Sequence, residues 1–387
     1  MKIAQIAPLI ESVPPRLYGG TERIVSYLTE ELVRLGHDVT LFASGDSITS
    51  AELASCCTRS LRLDPAVHDI IPHFMLMIDK VRERADEFDV LHFHIDLFHF
   101  PLFRSLAART LTTLHGRQDL GDLKPFYYRF GEMPLVSISN DQRKPLPHAH
   151  FVATVHHGIP AELHSPSFEP GSYLAFLGRI SPEKRPDRAI RIARAAGIPL
   201  KMAAKVDKVD EDYFRNDILP LIAGGGVEFI GEISEREKTQ FLGEAAALLF
   251  PVDWPEPFGL VMIEAMACGT PVLAFRRGSI PEVIEDGVTG IVVDNEQEAI
   301  AALPKILSYD RRLVRQRFEQ TFTSTRMAQK YVSTYSHLLE VGVSSSEVHR
   351  SRLRQRDLNG GNGLSPLPLE KPLPDSFEGG TNPEIPV

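Results

Sequence analysis

The chain has 387 residues, of which 43% are hydrophobic and 24% charged, as in soluble globular proteins, and this length predicts two domains rather than one. The net charge of −9 argues against a polyanion-binding surface, so nucleic acid is not an expected partner. Three cysteines fit neither a disulfide framework nor a metal site and favour a cytoplasmic location, and no apolar run is long enough to span a membrane.

The first part of the chain alternates predicted strands and helices. The strands fall at residues 2–7, 39–43, 90–95, 110–114 and 135–139, and the helices at 22–35 and 74–87. This alternation predicts parallel strands in a doubly wound α/β sheet. The run KPFYYR at 124–129 mixes aromatic and basic residues and could line an acceptor pocket, touch a lipid surface or flank the core.

A second alternating unit begins at residue 173. Its strands are predicted at 173–177, 199–204, 227–230, 248–251, 272–275 and 290–293, with helices at 186–196, 210–222, 235–246 and 260–268. The proline-bounded segment 166–170 places the boundary near residue 168, which gives domains of 1–168 and 169–323. Helices at 297–308, 310–320 and 324–340 follow without strands, and the polar residues 343–387 are predicted to form a disordered tail.

The stretch DWPEPFGLVMIEAMACGTPVLAF at 253–275 combines an acidic turn with an apolar helix. Two prolines keep Glu256 out of the helix, and Gly259 opens it. Helix N-termini carry free N–H groups that suit anions and sugars. Here these groups belong to Phe258, Gly259 and Leu260. Glu264 is the single charge inside the helix, so it needs a partner or a ligand such as a ribose diol.

The E-x7-E spacing of Glu256 and Glu264, within EPFGLVMIEAMACGTPV, resembles the donor-site signature of retaining glycosyltransferases of family 4, the glycogen-synthase-like group. The resemblance implies the GT-B fold, in which two Rossmann-like domains face a central cleft. It also implies that the final helix, 324–342, returns to the N-terminal domain. An ordinary capped helix with two surface acids would explain the turn but not an acid inside an apolar helix.

The segment GRISPEKRP at 178–186 follows a predicted strand, at the edge where open α/β sheets bind ligands. Family 4 enzymes carry G-R and E-K-G here, which implies that Arg179 and Lys184 grip the donor diphosphate. The family's glycine after the lysine is Arg185 in this chain, so the shape of the loop is left open.

Two glycine-containing loops resemble further parts of the family's donor site. The Gly19-Gly20 pair precedes the first helix, where a backbone without Cβ atoms can approach the phosphates closely. The Gly231-Glu232-Ile233 segment matches the loop that contacts the base, mostly through its backbone. The latter loop does not distinguish uridine from guanosine or adenosine, and we expect a UDP-linked or GDP-linked donor.

Polar residues at the ends of N-terminal strands are candidates for the reacting side of the cleft. His115 stands where the family has a histidine near the transferred sugar, and His94, Asp96 and Ser139 are candidates on the acceptor side. His92 and His94 share one face of a strand and could form a metal pair, but no third ligand follows at a standard spacing. No Asp-x-Asp triplet stands at a strand end either, so we expect a site without metal and without a cofactor.

Together these features predict a retaining, metal-independent hexosyltransferase that uses a nucleotide diphosphate sugar, with a sugar, lipid-linked or small-molecule acceptor. The catalytic candidates are His115, Glu256, Arg179 and Lys184. An epimerase or hydrolase of nucleotide sugars, and a non-catalytic protein that binds them, are the alternatives. Any membrane contact is expected to be peripheral, and the sequence does not specify an oligomeric state.

Overall fold

The computed structural model of the chain describes residues 1–16 and 19–358, of which 342–358 are described as backbone only. The chain divides into two units, Met1–Gly342 and Val343–Val387. The first unit contains two parallel sheets with their helices, as the sequence predicts. No helix in the described part combines the length and the apolar character that crossing a membrane requires.

Seven parallel strands of the described residues form the first sheet, in the order β3-β2-β1-β4-β5-β6-β7. The strands are β1 Lys2–Ile6, β2 Asp38–Ser44, β3 Glu52–Cys57, β4 Val90–Phe93, β5 Thr110–Thr113, β6 Leu135–Ser137 and β7 Phe151–Thr154. The helices are α1 Gly20–Arg34, α2 Ile71–Glu83, α3 Phe100–Phe103, α4 Leu123–Arg129 and α5 Asn140–Arg143. The strand order reverses between β1 and β4, which is where doubly wound sheets open a crevice.

Six parallel strands form the second sheet in the order β10-β9-β8-β11-β12-β13, with the reversal between β8 and β11. The strands are β8 Tyr173–Arg179, β9 Leu200–Lys205, β10 Val227–Gly231, β11 Ala245–Phe250, β12 Val272–Phe275 and β13 Gly290–Val293. The helices are α6 Pro186–Ala196, α7 Glu211–Tyr213, α8 Leu219–Ala223, α9 Glu235–Gly243, α10 Leu260–Ala267, α11 Ile280–Val283, α12 Glu296–Ile306, α13 Arg311–Thr321 and α14 Ser324–Leu358. A π-helical turn, Phe214–Ile218, joins α7 to α8. Residue 168, the predicted boundary, lies between the two sheets.

The final helix α14 returns to the first sheet, as the resemblance implies. Its buried side chains pack in one apolar cluster with residues of β1, β4, β5 and β6. The contributors from α14 are Met327, Ala328, Tyr331, Tyr335 and Leu338.

The helical backbone continues past residue 342 to Leu358, into the predicted tail, because no glycine or proline interrupts 343–358. The rest of that tail, 359–387, lies outside the described residues.

Two strands of the first sheet are not predicted from the sequence. They are β3 and β7, which form its two edges. Their burial patterns show almost no fully buried positions, so neither carries the apolar run that marks the central strands. The KPFYYR run becomes helix α4, in which Tyr127 is buried and Phe126 packs against the same core. This placement favours the core-flanking interpretation of the run, although Tyr128 stays exposed.

Candidate active site

A cavity of about 460 Å³ lies between the carboxyl ends of the two sheets. Its lining includes most of the residues that the sequence singles out. These are Gly19, Gly20, His115, Arg179, Lys184, Glu232, Ile233, Glu256, Phe258, Gly259, Leu260 and Glu264. They come from five separate stretches of the chain, so the fold brings together residues that the sequence leaves far apart.

The N-termini of α1 and α10 meet at this cavity. Neither helix has a side-chain cap, so their first N–H groups remain available to an anion. Gly259 precedes α10 with a φ of 81°, and a Cβ there would come within 2.7 Å of Met262 Cε. A Cβ on Gly20 would lie 3.7 Å from Leu260 Cδ1, which shows how closely the two helix ends approach.

Lys184 and Glu256 form an ion pair at the edge of the cavity. The Lys184 Nζ atom lies 2.5 Å from Glu256 Oε2 and 4.7 Å from the centroid of the Trp254 ring. The Trp254 indole N–H donates to the same carboxylate oxygen at 2.9 Å. The loop after β8 and the turn before α10 are thereby held together, with one ammonium group facing the cavity from a defined position.

Arg179 ends β8 and is held by two carboxylates, Glu183 at 3.1 Å and Asp207 at 3.5 Å. Arg185, which replaces the family's glycine, has a φ of 54° in the left-handed region. That conformation explains why glycine is preferred at this position. Arg185 pairs with Asp187 at 2.8 Å, at the start of α6.

Glu264 is nearly fully buried, and its partner is Lys238 of α9, at 2.9 Å. Lys238 also contacts Glu235 at 3.2 Å, and Glu235 in turn pairs with Arg23 of α1. Burial alone would raise the pKa of Glu235, but the His164 imidazole, whose Nε2 lies 3.4 Å from Glu235 Oε1, and the charges of Lys238 and Arg23 lower the pKa to about 2. The cluster therefore links α1 of the first sheet to α9 and α10 of the second.

His164, Glu235 and Glu264 could also be considered as a metal site, since one ligand atom from each lies within 4.8 Å of the others. The negative charge of the two carboxylates is already balanced, because Lys238 contacts both and Arg23 pairs with Glu235. A divalent cation would add two positive charges to a neutral group. The cluster therefore does not fit a metal well in the protonation state that these ion pairs imply.

His115 follows β5 and lines the cavity. Its Nε2 atom lies 2.9 Å from His94 Nδ1, and its ring stacks at 5.3 Å on the ring of His157. Burial lowers the pKa of His115 to about 3 and lowers the pKa values of His94 and His157 well below the usual range. These imidazoles are therefore neutral at physiological pH.

Four of the predicted site residues do not line the cavity. Gly231 ends β10 with a φ of 86°, next to the two residues of its loop that do line it. His94 lies directly behind His115, and Asp96 is exposed. Ser139 is buried and caps α5 by accepting a hydrogen bond from the Gln142 N–H. The acceptor-side roles of the last three stay predictions.

The structure adds two polar residues that the sequence analysis assigns no role. His157 packs between His115 and Phe258, whose rings lie 5.3 and 5.0 Å away. Lys238 is the cation that pairs with Glu264. The lone charge of α10 signals that such a partner must exist, but not which element supplies it. The lining of the cavity holds six basic and five acidic side chains, so their charges nearly cancel. An anionic ligand would therefore be attracted by individual basic side chains rather than by the overall charge of the cavity.

Two family models match the chain in adjoining segments. The model described as Glycosyltransferase Family 4 matches residues 18–165, and the model described as Glycosyl transferases group 1 matches residues 164–321. The segments meet between β7 and β8, so each match falls on one of the two sheets.

Two proteins with similar sequences are named as a glycosyltransferase and a mannosyltransferase. A D-inositol 3-phosphate glycosyltransferase of Mycobacterium sp. (strain KMS) is 35% identical over 143 residues, which cover 31% of this chain but only 28% of that protein. A phosphatidyl-myo-inositol mannosyltransferase of Mycolicibacterium smegmatis is 26% identical over 80% of this chain and 86% of its own length. Among solved structures, Anabaena HepE in complex with UDP-glucose superposes with a TM-score of 0.64 at 17% identity, covering 87% of this chain and all of that one. At this identity the likeness concerns the fold alone.

Proposed function

Because this chain belongs to the family 4-like glycosyltransferases of the GT-B fold, as the two adjoining family matches show, we propose that it moves a hexosyl group from a nucleotide diphosphate sugar to an acceptor hydroxyl. We further propose that transfer retains the anomeric configuration and needs no metal. The observation that carries the proposal is the convergence, on one cavity, of two uncapped helix N-termini with Arg179, Lys184, Glu256 and Glu264.

The leaving group is the part of the reaction that this cavity suits best. A departing nucleoside diphosphate gains negative charge on its β-phosphate, which must be stabilised where it develops. Arg179 can bind two phosphate oxygens, Lys184 adds a point charge, and the N–H groups of α1 and α10 approach from opposite sides. These groups supply the positive charge for which other transferases use a metal ion, which is why we propose a metal-independent reaction.

The two glutamates are proposed to bind different parts of the rest of the donor, namely the ribose and the sugar. Glu264 lies inside α10 with Oε1 on Lys238, while Oε2 has no hydrogen-bond partner among the described residues and is free to accept from a ribose hydroxyl. Glu256 lies just before the N-terminus of α10, near the N–H groups of Phe258 and Gly259, where the hydroxyls of the sugar would bind. UDP is the first nucleotide to test, since HepE of the same fold binds UDP-glucose.

Retention is proposed without a covalent intermediate. His115 is bonded at Nε2 to His94 and has no partner at Nδ1, so no carboxylate among the described residues is hydrogen-bonded to it. A double displacement would need a nucleophilic carboxylate close to the anomeric carbon. We therefore favour departure and attack on the same face of the sugar, with His115 beside the reacting centre.

The test is a panel of UDP-, GDP- and ADP-linked hexoses, each added to the full chain with EDTA or with Mg²⁺. We expect one nucleotide to raise the melting temperature equally in both conditions, because a ligand that binds only the folded state stabilises it. Incubation of that donor with candidate acceptors, including D-inositol 3-phosphate, should then yield a product whose anomeric configuration by NMR matches the donor.

Three results would contradict the proposal. Stabilisation only with Mg²⁺ would refute metal independence, and an inverted anomeric configuration would refute retention. Consumption of the donor in the absence of any acceptor would instead identify a hydrolase or an epimerase.

A further inference from the structure

A line of buried hydrogen bonds runs from the centre of the first sheet to His115. Gln5 of β1 lies next to β4, and its Oε1 atom is 2.8 Å from His94 Nε2. His94 Nδ1 is in turn 2.9 Å from His115 Nε2. Gln5 is fully buried and His94 is 3% exposed, so water does not compete for the bond between these two residues.

With the Gln5 amide oriented as in the structure, the chemistry of the three groups fixes where the protons are. A carbonyl oxygen can only accept, so the hydrogen of the first bond is on His94 Nε2. Burial keeps His94 neutral, which leaves its Nδ1 as an acceptor. The second bond therefore takes its hydrogen from His115 Nε2, and a neutral His115 then carries a lone pair on Nδ1.

The orientation of the Gln5 amide is supported from its other side. Gln5 Nε2 lies 3.1 Å from the Tyr335 hydroxyl of α14 and 3.3 Å from His92 Nδ1, both of which can accept a hydrogen bond. Tyr335 in turn lies 2.7 Å from His92 Nδ1, so its hydroxyl can donate there while it accepts from Gln5. The Tyr335 hydroxyl then occupies the single lone pair of His92 Nδ1, so the amide nitrogen donates to the Tyr335 hydroxyl while the amide oxygen faces the histidine pair.

We propose that Gln5 and His94 are positioning residues that hold His115 as the neutral Nε2–H tautomer, so that Nδ1 accepts a hydrogen bond from a hydroxyl of the transferred sugar or of the acceptor. The Nδ1 atom has no partner among the described residues, and the side chain lines the donor cavity. His115 then serves as a neutral acceptor rather than as a general acid. This inference rests on the proposed function for its last step only, since the tautomer itself is a property of the free protein.

The tautomer can be read directly from two-bond ¹⁵N–¹H spectra of the imidazoles, with the His115 signals assigned by their loss in His115→Gln. At pH 7.5 we expect the wild-type protein to show a protonated Nε2 and an unprotonated Nδ1 on His115. His94→Leu removes the acceptor of the Nε2 hydrogen and should give a mixture of tautomers. The matched control is His99→Leu, which deletes another buried imidazole, one bonded to the Thr112 hydroxyl and not to this line.

Two further variants cover the case in which His94→Leu does not fold. Gln5→Leu removes the acceptor for His94 and should also give a mixture. Gln5→Glu places a carboxylate beside His94, which should draw a proton onto it, turn Nδ1 into a donor and convert His115 to the Nδ1–H tautomer. A wild-type His115 that is protonated on Nδ1, or a His94→Leu spectrum of His115 identical to that of His99→Leu, would overturn the proposal.

Steady-state kinetics separate a positioning role of His94 from a general effect on protein stability. With the donor found in the panel, His94→Leu should lower kcat about 10-fold to 100-fold while the KM for the donor changes by about twofold or less, because the lost contact acts on the reacting centre. His99→Leu should lower neither value by more than about twofold. Equal losses in the two variants would show that His94 acts only through stability. If no donor is turned over, the proposed function fails, while the spectra still decide the tautomer.

Discussion

Lys184 is the residue whose removal tests the donor site most directly. Its ammonium group is fixed by Glu256 and the Trp254 ring before any donor arrives, so little reorganisation is needed when a phosphate binds. Loss of one preorganised contact to a developing charge costs on the order of 10²-fold in turnover. We expect Lys184→Ala to lower kcat by about that factor, measured as steady-state transfer from the preferred donor.

The control for this variant is Lys201→Ala. Lys201 lies on β9, pairs with Glu228 at 3.5 Å and covers the Tyr173 ring, outside the cavity. Its replacement should leave kcat within about twofold of the wild type, since surface ion pairs contribute little. Normal turnover in Lys184→Ala would remove Lys184 from the proposed machinery.

Lys238 gives a prediction about stability rather than rate. Its side chain is 15% exposed and that of Glu264 is 3% exposed, so Lys238→Met would leave a buried carboxylate without its cation. Removal of one partner of a buried pair costs about 3–5 kcal/mol, and somewhat less where one side chain is partly exposed. We expect a loss of about 2–4 kcal/mol in urea unfolding, most of it regained in the double variant Lys238→Met with Glu264→Gln. If Lys238→Met unfolds with the same urea midpoint as the wild type, this account is wrong.

At the scale of the element, the N-terminus of α1 offers a variant that separates folding from binding. Gly20 is the first residue of α1, and a Cβ there would make only an ordinary contact with Leu260. Alanine favours helix over glycine, so Gly20→Ala should melt no lower than the wild type. The added methyl group would stand where the phosphates must approach, and we expect UDP to bind at least about tenfold more weakly by calorimetry.

A second glycine provides the comparison. Gly121 lies in a turn of the first domain, and a Cβ on it would meet nothing within 4 Å. Gly121→Ala should therefore bind UDP like the wild type. If Gly20→Ala also binds UDP normally, the N-terminus of α1 is not part of the phosphate site.

The elements that the sequence predicts well are those whose signals are local. Strand β12 and helix α6 begin and end at the predicted residues, because a central strand is a continuous apolar run and α6 has Pro186 at its start and Gly197 after its end. The turn before α10 is equally local, so Glu256 and Glu264 could be found from their spacing. What the sequence could not supply is the partner from another element. Lys238 reaches Glu264 from α9, and His157 reaches His115 from the loop after β7, and only the packing of the sheets sets these distances.

At the scale of the whole molecule, several polar contacts of the described residues join the two domains, and two of them involve separate helices of the second domain. Arg23 of α1 pairs with Glu235 of α9 on one side. On the other side, the Glu282 carboxylate of α11 accepts from the backbone N–H groups of Asn140 and Asp141, each at 2.7 Å. Interfaces between domains of one chain are often small and polar, which permits opening and closing around a ligand. Polar contacts of this kind can break and re-form when the two domains move relative to each other.

Glu282 is the residue with which this closure can be tested. Hydrogen bonds to a charged group contribute about 1.5–3 kcal/mol, so Glu282→Ala should shift the equilibrium toward open forms and raise the KM for the donor about tenfold. The radius of gyration from small-angle scattering should increase without ligand and fall back when UDP is added. Glu285→Ala is the matched control, because Glu285 pairs with Arg317 inside the second domain. A Glu282→Ala protein with the scattering curve and the KM of Glu285→Ala would show that closure does not depend on this contact.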